Sequence, residues 1–372
     1  MKVLFITGSY PPAQCGVGDY TAQLVRALST SGDFEASVLT SLSPATEQSG
    51  PGPLILRTMS TWRAQAVGEV EALIRRLKPD IVHMQFPTQG YEDWKGTAAI
   101  ALAVRVKLRI PLVLTMHEYL PPSCRGEAFW LYLLAAVANR IVVVRPGFHE
   151  RIPKLLKLIL PKRKFEFISN GSVLPKVTLS VAEREAVKRD AHCSQRRLIV
   201  YFGFSFPHKG VDLLFRIADP EEHCLMFIGP LSADDPYHEE LRRLAATGAW
   251  QRRATFTGFI GAEEAARLLA AADAAVFPYR TGGGVWNSSL HAAMVQDTFV
   301  LTTSLERNGY DAPTNVYYAR PGDLEEMRRA LRQYQGTRRA RPFTAEDEWL
   351  AIAQRHRQIF GALLGRSAAA RG

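Results

Sequence analysis

Apolar positions along the chain follow two alternating patterns: short runs rich in β-branched and aromatic residues, and longer stretches with helical spacing. In the first half, residues 3–7, 36–39, 81–84, 112–116 and 141–144 read as strands, with helical patterns such as 18–29 and 61–77 between them. Around residues 172–195 the pattern breaks at Pro175 and at a charged stretch, 183–190, before a new strand over 197–202. The second half repeats the logic, with strands expected at 225–228, 254–257, 274–277 and 298–301. A last amphipathic stretch, 346–364, has no strand after it. Strands alternating with helices predict parallel α/β sheets, and two such series predict two tandem Rossmann-like domains. The expected division is 1–175, 190–345 and a C-terminal helix within 346–372 that returns to the first domain.

Length and composition agree with this picture. A chain of 372 residues with 47% hydrophobic content can bury two cores. Its 22% charged content and scattered Pro and Gly leave no stretch biased enough for disorder. The longest apolar runs, such as 129–137, are shorter than the roughly 20 residues that cross a bilayer. The first apolar run is too short for a signal peptide and leads into a strand-then-turn pattern. Cys15, Cys124, Cys193 and Cys224 are far apart in sequence, with no Cys-x-x-Cys pair, so free thiols in a reducing cytoplasm are expected.

Charge changes the picture locally. Residues 1–180 carry +8 of the net +10, and residues 140–164 hold eight basic residues against one acidic residue, Glu150. Within that segment Ile152, Leu155, Leu156 and Ile159 recur at helical spacing beside Arg151, Lys154 and Lys157, which predicts a basic amphipathic surface helix. The pattern fits peripheral contact with an anionic membrane face or a phosphorylated acceptor, and it fits an ordinary helix whose apolar stripe faces the core. Nucleic acid is not expected, because interleaved aromatics and any recognised nucleic-acid motif are missing.

Open parallel sheets bind ligands beyond the carboxyl ends of their strands, so residues just after strands carry the chemistry. The first such segment runs from Ser9 through Pro11-Pro12 to Gly16-Val17-Gly18-Asp19-Tyr20 and opens a helix. A Gly-containing turn there lets backbone N–H groups approach a phosphate or sugar, although a plain tight turn reads the same way. The third glycine of a dinucleotide fingerprint and a following ribose-binding acid are absent, which argues against a dehydrogenase. The segment from Ala274 to Leu290 is a strand, a triple glycine Gly282-Gly283-Gly284 and a helix, a ready anion cradle built from N–H groups and a helix dipole.

Further short segments are Pro79-Asp80-Ile81-Val82-His83, Leu114-Thr115-Met116-His117-Glu118-Tyr119, Ile168-Ser169-Asn170-Gly171-Ser172 and Tyr201-Phe202-Gly203-Phe204-Ser205-Phe206-Pro207-His208-Lys209-Gly210. In this order and spacing the segments resemble the retaining glycosyltransferases of family 4 over nearly the whole chain. The resemblance implies the GT-B arrangement, two Rossmann-like domains facing a central cleft. It implies transfer of a sugar from a nucleotide-diphosphate sugar to an acceptor hydroxyl with retention, in polysaccharide or glycoconjugate synthesis. Front-face attack, with the departing phosphate taking the acceptor proton, would then need no protein base.

By the same resemblance His117 hydrogen-bonds the transferred sugar or its leaving oxygen, whereas a lone histidine at a strand end is otherwise more often structural. Lys209, followed by Gly210, neutralises the donor diphosphate, since a fixed ammonium stabilises the charge that grows on the leaving phosphate. The donor is expected along Gly16, Val17, Gly18, Gly229, Ile260, Gly283, Gly284, Val285, Asn287 and Ser288. The acceptor, a sugar or a lipid-linked molecule, is expected near Gly16 and His117.

The chain departs from the family pattern in two places. The arginine usual before the lysine is replaced by Phe204 or Phe206, with Arg280 as a candidate substitute. The paired glutamates of the glycine loop fall on Gly284 and Ala292. With no Asp-x-Asp motif, and Asp234-Asp235 expected in a polar loop without partners, no metal is expected and no cofactor beyond the nucleotide sugar as co-substrate. The lost carboxylates keep a second reading open, a catalytically silent binding or scaffold subunit.

Overall fold

The computed structural model of the protein describes residues 1–30, 32–43, 52–123, 125–284, 286–340 and 344–369, with side chains to 365. It divides into two compact units, Met1–Asn170 with Trp349–Gly372, and Gly171–Glu348. Each unit is organised by one seven-stranded sheet.

The first sheet comprises β1 (Lys2–Ile6), β2 (Glu35–Ser41), β3 (Leu54–Met59), β4 (Ile81–Phe86), β5 (Leu112–Met116), β6 (Arg140–Val143) and β7 (Phe165–Phe167). The second comprises β8 (Arg197–Phe202), β9 (His223–Ile228), β10 (Ala254–Gly258), β11 (Ala274–Phe277), β12 (Val300–Thr303), β13 (Gly309–Asp311) and β14 (Val316–Ala319). Helices α1 (Gly16–Ser29), α2 (Val67–Leu77), α3 (Trp94–Leu102) and α4 (Ala128–Val137) cross over in the first unit. In the second are α5 (Val181–Asp190), α6 (Leu214–Ile217), α7 (Pro236–Ala246), α8 (Ala262–Ala271), α9 (Ser288–Val295) and α10 (Leu324–Tyr334). Helix α11 (Ala345–Ala369) closes the described chain.

The strand orders are 3-2-1-4-5-6-7 and 10-9-8-11-12-14-13, and every pairing is parallel except β13 with β14. The central strands are buried along their whole length, as the six residues of β4 and the five of β5 show. Helices on both faces of a parallel sheet demand such two-sided burial. Each order reverses beside its first strand, at β1/β4 and at β8/β11, which places the crevice of each unit at the loops that follow those strands.

Four strands escape the sequence pattern. β7 and β13 have three residues and lie at sheet edges, β14 has four, and β3 is an edge strand with an irregular burial pattern. The break around 172–195 lies wholly in the second unit, because Leu174 and Cys193 are buried in its core and Val173 and Val177 pack against that core. From Trp349 onward α11 belongs to the first unit: Trp349 meets Tyr20, His356 stacks on His83, and Arg357 pairs with Asp33 at 2.8 Å.

Two local expectations are corrected. The segment 140–164 forms no amphipathic α-helix; after β6 it makes only short turns at His149–Arg151, Lys154–Leu158 and Lys162–Lys164. Pro153 holds Ile152 extended before it, and Pro161 closes the segment eight residues later, so no regular helix can run through. Ile152 and Leu160 point into the core, Leu156 packs partly against it, and Leu155, Leu158 and Ile159 are exposed by 83%, 83% and 54%. Asp235 does have partners. Its carboxylate accepts hydrogen bonds from the backbone N–H groups of Tyr237 and His238 and caps α7.

Candidate functional site

In the second unit the loop after β8 carries Lys209 on the turn Pro207–Lys209. Gly210 follows with φ +65°, and a side chain there would also overlap the Pro278 carbonyl oxygen, so the position requires glycine on both counts. Gly203, with φ +128°, opens the same loop. A Cβ built on Gly203 would stand 2.8 Å from Ser289 Oγ and 4.0 Å from Lys209 Nζ. The Gly203 backbone is therefore approached closely by a hydroxyl, with an ammonium group beside it. Gly229, at the end of β9, approaches the Gly203 carbonyl so closely that any side chain would overlap it. Lys209 Nζ also lies 6.0 Å from the centre of the buried Tyr279 ring, an aromatic face that suits a cation.

The loop after β11 meets the loop after β8 from the other side of the switch point. Gly283 N–H donates to the Thr303 carbonyl at 2.7 Å and anchors the triple glycine to β12. Asn287 is the N-cap of α9, yet its side chain makes no capping bond; Oδ1 instead accepts from Gly284 N–H at 2.9 Å. The first turn of α9, with Ser288 and the buried Ser289, thus presents its N-terminal end without a side-chain cap from Asn287. A helix N-terminus without a side-chain cap, beside an ammonium and a hydroxyl, is an arrangement suited to a phosphate. Val285 lies outside the described residues.

The positions of the missing carboxylates have no room for them. A side chain on Gly284 would overlap the Trp286 ring, and Ala292 is fully buried in the core. Arg280 is engaged elsewhere: its guanidinium holds Asp212 at 2.6 Å and donates through Nε to the Pro207 carbonyl at 3.0 Å. Ile260 sits partly buried ahead of the N-cap of α8 and packs on the core.

In the first unit Gly16-Val17-Gly18 form the first turn of α1, whose N-cap Cys15 is extended and makes no side-chain bond. The Gly18 backbone passes Ser9 so closely that a Cβ would stand 2.9 Å from the Ser9 carbonyl oxygen. Asp19 follows in the same turn, and burial pushes its carboxyl up to about 6. The next residue, Tyr20, sets its ring edge-on to His117, with centroids 4.9 Å apart.

His117 leaves the end of β5 buried, and burial first, then the nearby charges of Arg145 and His356, lower its pKa to about 3. The imidazole is therefore neutral at pH 7. Its Nε2 lies 3.0 Å from Gln85 Oε1, an acceptor, so Nε2 carries the proton and Nδ1 is left as a lone pair. The Gln85 amide in turn lies 3.3 Å from His83 Nε2, which is also 2.7 Å from Thr115 Oγ1. Neighbouring strands supply this buried polar chain, and it fixes the orientation of His117.

The structure thus brings Lys209, Gly210, Gly229, Gly283, Gly284, Asn287 and Ser288 to the loops around one switch point, and Gly16, Val17, Gly18 and His117 to the other unit. Residues that sequence reasoning did not single out as site residues are Gly203 and Ser289, which converge with Lys209, and His83 and Gln85, which lead to His117. His83 and Gln85 alternate on one face of β4, a period-two signal available in the sequence. Ser289 could not be told from Ser288 before the geometry of the α9 turn was known.

Among the described residues no group of three or more His, Cys, Asp and Glu side chains is placed to hold a metal ion, and no helix is long and apolar enough to cross a membrane. Cys15, Cys193 and Cys224 are free and buried, and Cys124 lies outside the described residues.

No curated protein matches the chain. Residues 15–172 match the model of Glycosyltransferase Family 4, and residues 196–335 match that of Glycosyl transferases group 1. Among solved structures the chain is similar to HepE from Anabaena, described in complex with UDP and glucose, at 16% identity and TM-score 0.67 over 100% of both chains. It is similar to a sucrose-phosphate synthase from Thermosynechococcus elongatus, at 16% identity and TM-score 0.71 over 98% of this chain and 100% of that one. The catalytic domain of starch synthase IV from Arabidopsis thaliana, bound to ADP and acarbose, shares 13% identity with TM-score 0.64 over 97% and 99%. With both units matched in order, the chain belongs to the family 4 type of glycosyltransferases and has the GT-B fold.

Proposed function

We propose that the protein transfers a glycosyl unit from a nucleotide-diphosphate sugar to an acceptor hydroxyl with retention of configuration and without a metal ion. The observation that carries this reading is the convergence of Lys209 Nζ and Ser289 Oγ on the Gly203 backbone, beside the turn of α9 that Asn287 leaves without a side-chain cap. In the reaction the bond between the anomeric carbon and the phosphate oxygen breaks, the acceptor oxygen bonds to that carbon, and the acceptor proton passes to the departing phosphate. Lys209 and the α9 N–H groups would stabilise the charge that develops on that phosphate, the role a divalent cation fills in other transferases.

His117 is our candidate for the first unit's contact with the sugar. Its neutral ring, oriented by Gln85, offers Nδ1 as an acceptor. A uridine nucleotide is favoured by HepE, which is described with UDP and with UDP-glucose. We assign the acceptor to polysaccharide or glycoconjugate synthesis, and the buried free thiols fit a cytoplasmic chain. A second reading, a silent binding subunit, is favoured by the absence of carboxylates at Gly284 and Ala292.

The test is calorimetric binding of uridine, guanosine and adenosine diphosphates and their sugars to the purified protein, with Lys209→Ala and a chelator as controls, followed by a transfer assay with the nucleotide that binds. Binding that is lost in Lys209→Ala, unaffected by chelator and accompanied by turnover supports the transferase. Binding without turnover supports the silent subunit, and no binding refutes the proposed donor site.

A further inference from the structure

The corrected conformation of residues 140–164 joins two features that the sequence keeps apart. A cavity of about 650 Å³ in the first unit is walled by Arg105, Arg109, Arg140, Arg163 and Lys164, with no aspartate or glutamate among its lining residues. Leu158 and Ile159 line the same cavity, and with Leu155 they form an exposed apolar ridge between the buried anchors Ile152 and Leu160. We propose that this is a docking site for an anionic phospholipid surface, in which the basic cavity takes a headgroup phosphate and the ridge enters the acyl boundary. The proposal is independent of the phosphate site proposed at Lys209 and α9, which lies in the other unit.

The five cations come from three parts of the chain and are positioned by the fold. Lys164 Nζ donates to the Ala136 and Ala135 carbonyls at 2.6 and 3.3 Å, and Arg105 Nε donates to the Val137 carbonyl at 3.3 Å, so both are held at the C-terminal end of α4. Arg140 donates to the Arg163 carbonyl. Burial and the neighbouring Arg105 push the Lys164 ammonium down to about 8, the direction expected of uncompensated positive charge. Arg109 and Arg163 are exposed, and neither has an ion-pair partner among the described residues.

A soluble phosphate would account for the cations but not for three large aliphatic side chains held in water beside them. Single exposed leucines are ordinary; a ridge of three within five residues, next to a wall of one sign of charge, is complementary to the boundary between headgroups and acyl chains. Each basic residue near such a surface strengthens binding by roughly fivefold at low salt, and the contribution falls as salt screens it.

The experiment is flotation of the full chain with vesicles of phosphatidylglycerol in phosphatidylcholine, against phosphatidylcholine alone, with and without inorganic phosphate. The wild type is compared with Leu155→Asp/Leu158→Asp and with Arg109→Glu/Arg163→Glu, all exposed positions, and melting temperatures confirm that each variant folds. The proposal expects flotation only with phosphatidylglycerol, a loss of roughly 25-fold or more in each double variant, and no competition by phosphate. It is overturned if wild type does not float, if the leucine variant floats as well as wild type, or if inorganic phosphate displaces the protein, which would make the cavity a soluble-anion site.

Discussion

The guanidinium of Arg280 holds the carboxylate of Asp212 at 2.6 Å and ties the end of β11 to the loop that carries Lys209. Arg280 is therefore a brace for the loop that carries Lys209 rather than a cation available to the diphosphate. The pair is partly exposed, and such pairs contribute about 1 kcal/mol or less. Arg280→Ala is expected to raise the donor KM by up to about fivefold with little change in melting temperature. A loss as large as that of Lys209→Ala would instead place Arg280 on the phosphate.

Lys209→Ala removes the ammonium beside Gly203. The expected loss in kcat/KM is roughly a hundredfold to a thousandfold, the range seen when a preorganised group that stabilises developing charge is deleted. Steady-state kinetics with the donor identified by calorimetry provide the check, and an unchanged kcat/KM would remove Lys209 from the mechanism.

Gly203→Ala tests the close approach of Ser289 and Lys209 to this backbone. The new methyl group would stand 2.8 Å from Ser289 Oγ, at a φ of +128° that side chains rarely adopt. Donor affinity is expected to fall at least about tenfold, with a stability loss of about 1–3 kcal/mol from backbone strain. Unchanged nucleotide affinity, measured in a variant that still melts cooperatively, would show that the ligand does not bind beside Gly203.

The stacked His83 and His356 rings, with His117 nearby, predict acid sensitivity. Burial is the main cause that lowers all three pKa values, to about 3 for His117, about 4 for His356 and well below the usual range for His83. In the unfolded chain each titrates near about 6.5, so between these limits the unfolded state binds more protons. The stability from keeping these rings neutral is full above pH 6.5 and is lost as pH falls toward 4, by up to ~1.4 kcal/mol per pH unit for each histidine. Denaturant midpoints between pH 7 and pH 4 measure the slope, and His356→Gln is expected to reduce it by one proton.

The periodicity alone determined two α/β units, most of their strands and the loops in which chemistry would lie, because alternating patterns and crossover helices leave few other arrangements. Lys209, Gly210 and the triple glycine were legible for the same reason: they follow strands, and ligands of parallel sheets gather there. The convergence of Gly203, Ser289 and Lys209 depends on two loops far apart in sequence that meet where β11 returns beside β8, and only the tertiary structure decided it. The same holds for residues 140–164, where helical spacing suggested one apolar stripe. Pro153 and Pro161 prevent the helix, and the fold then sends Ile152 and Leu160 inward and leaves Leu155, Leu158 and Ile159 outside. Spacing encodes which residues would share a face of a helix, but it cannot report whether the helix forms or what lies across from it.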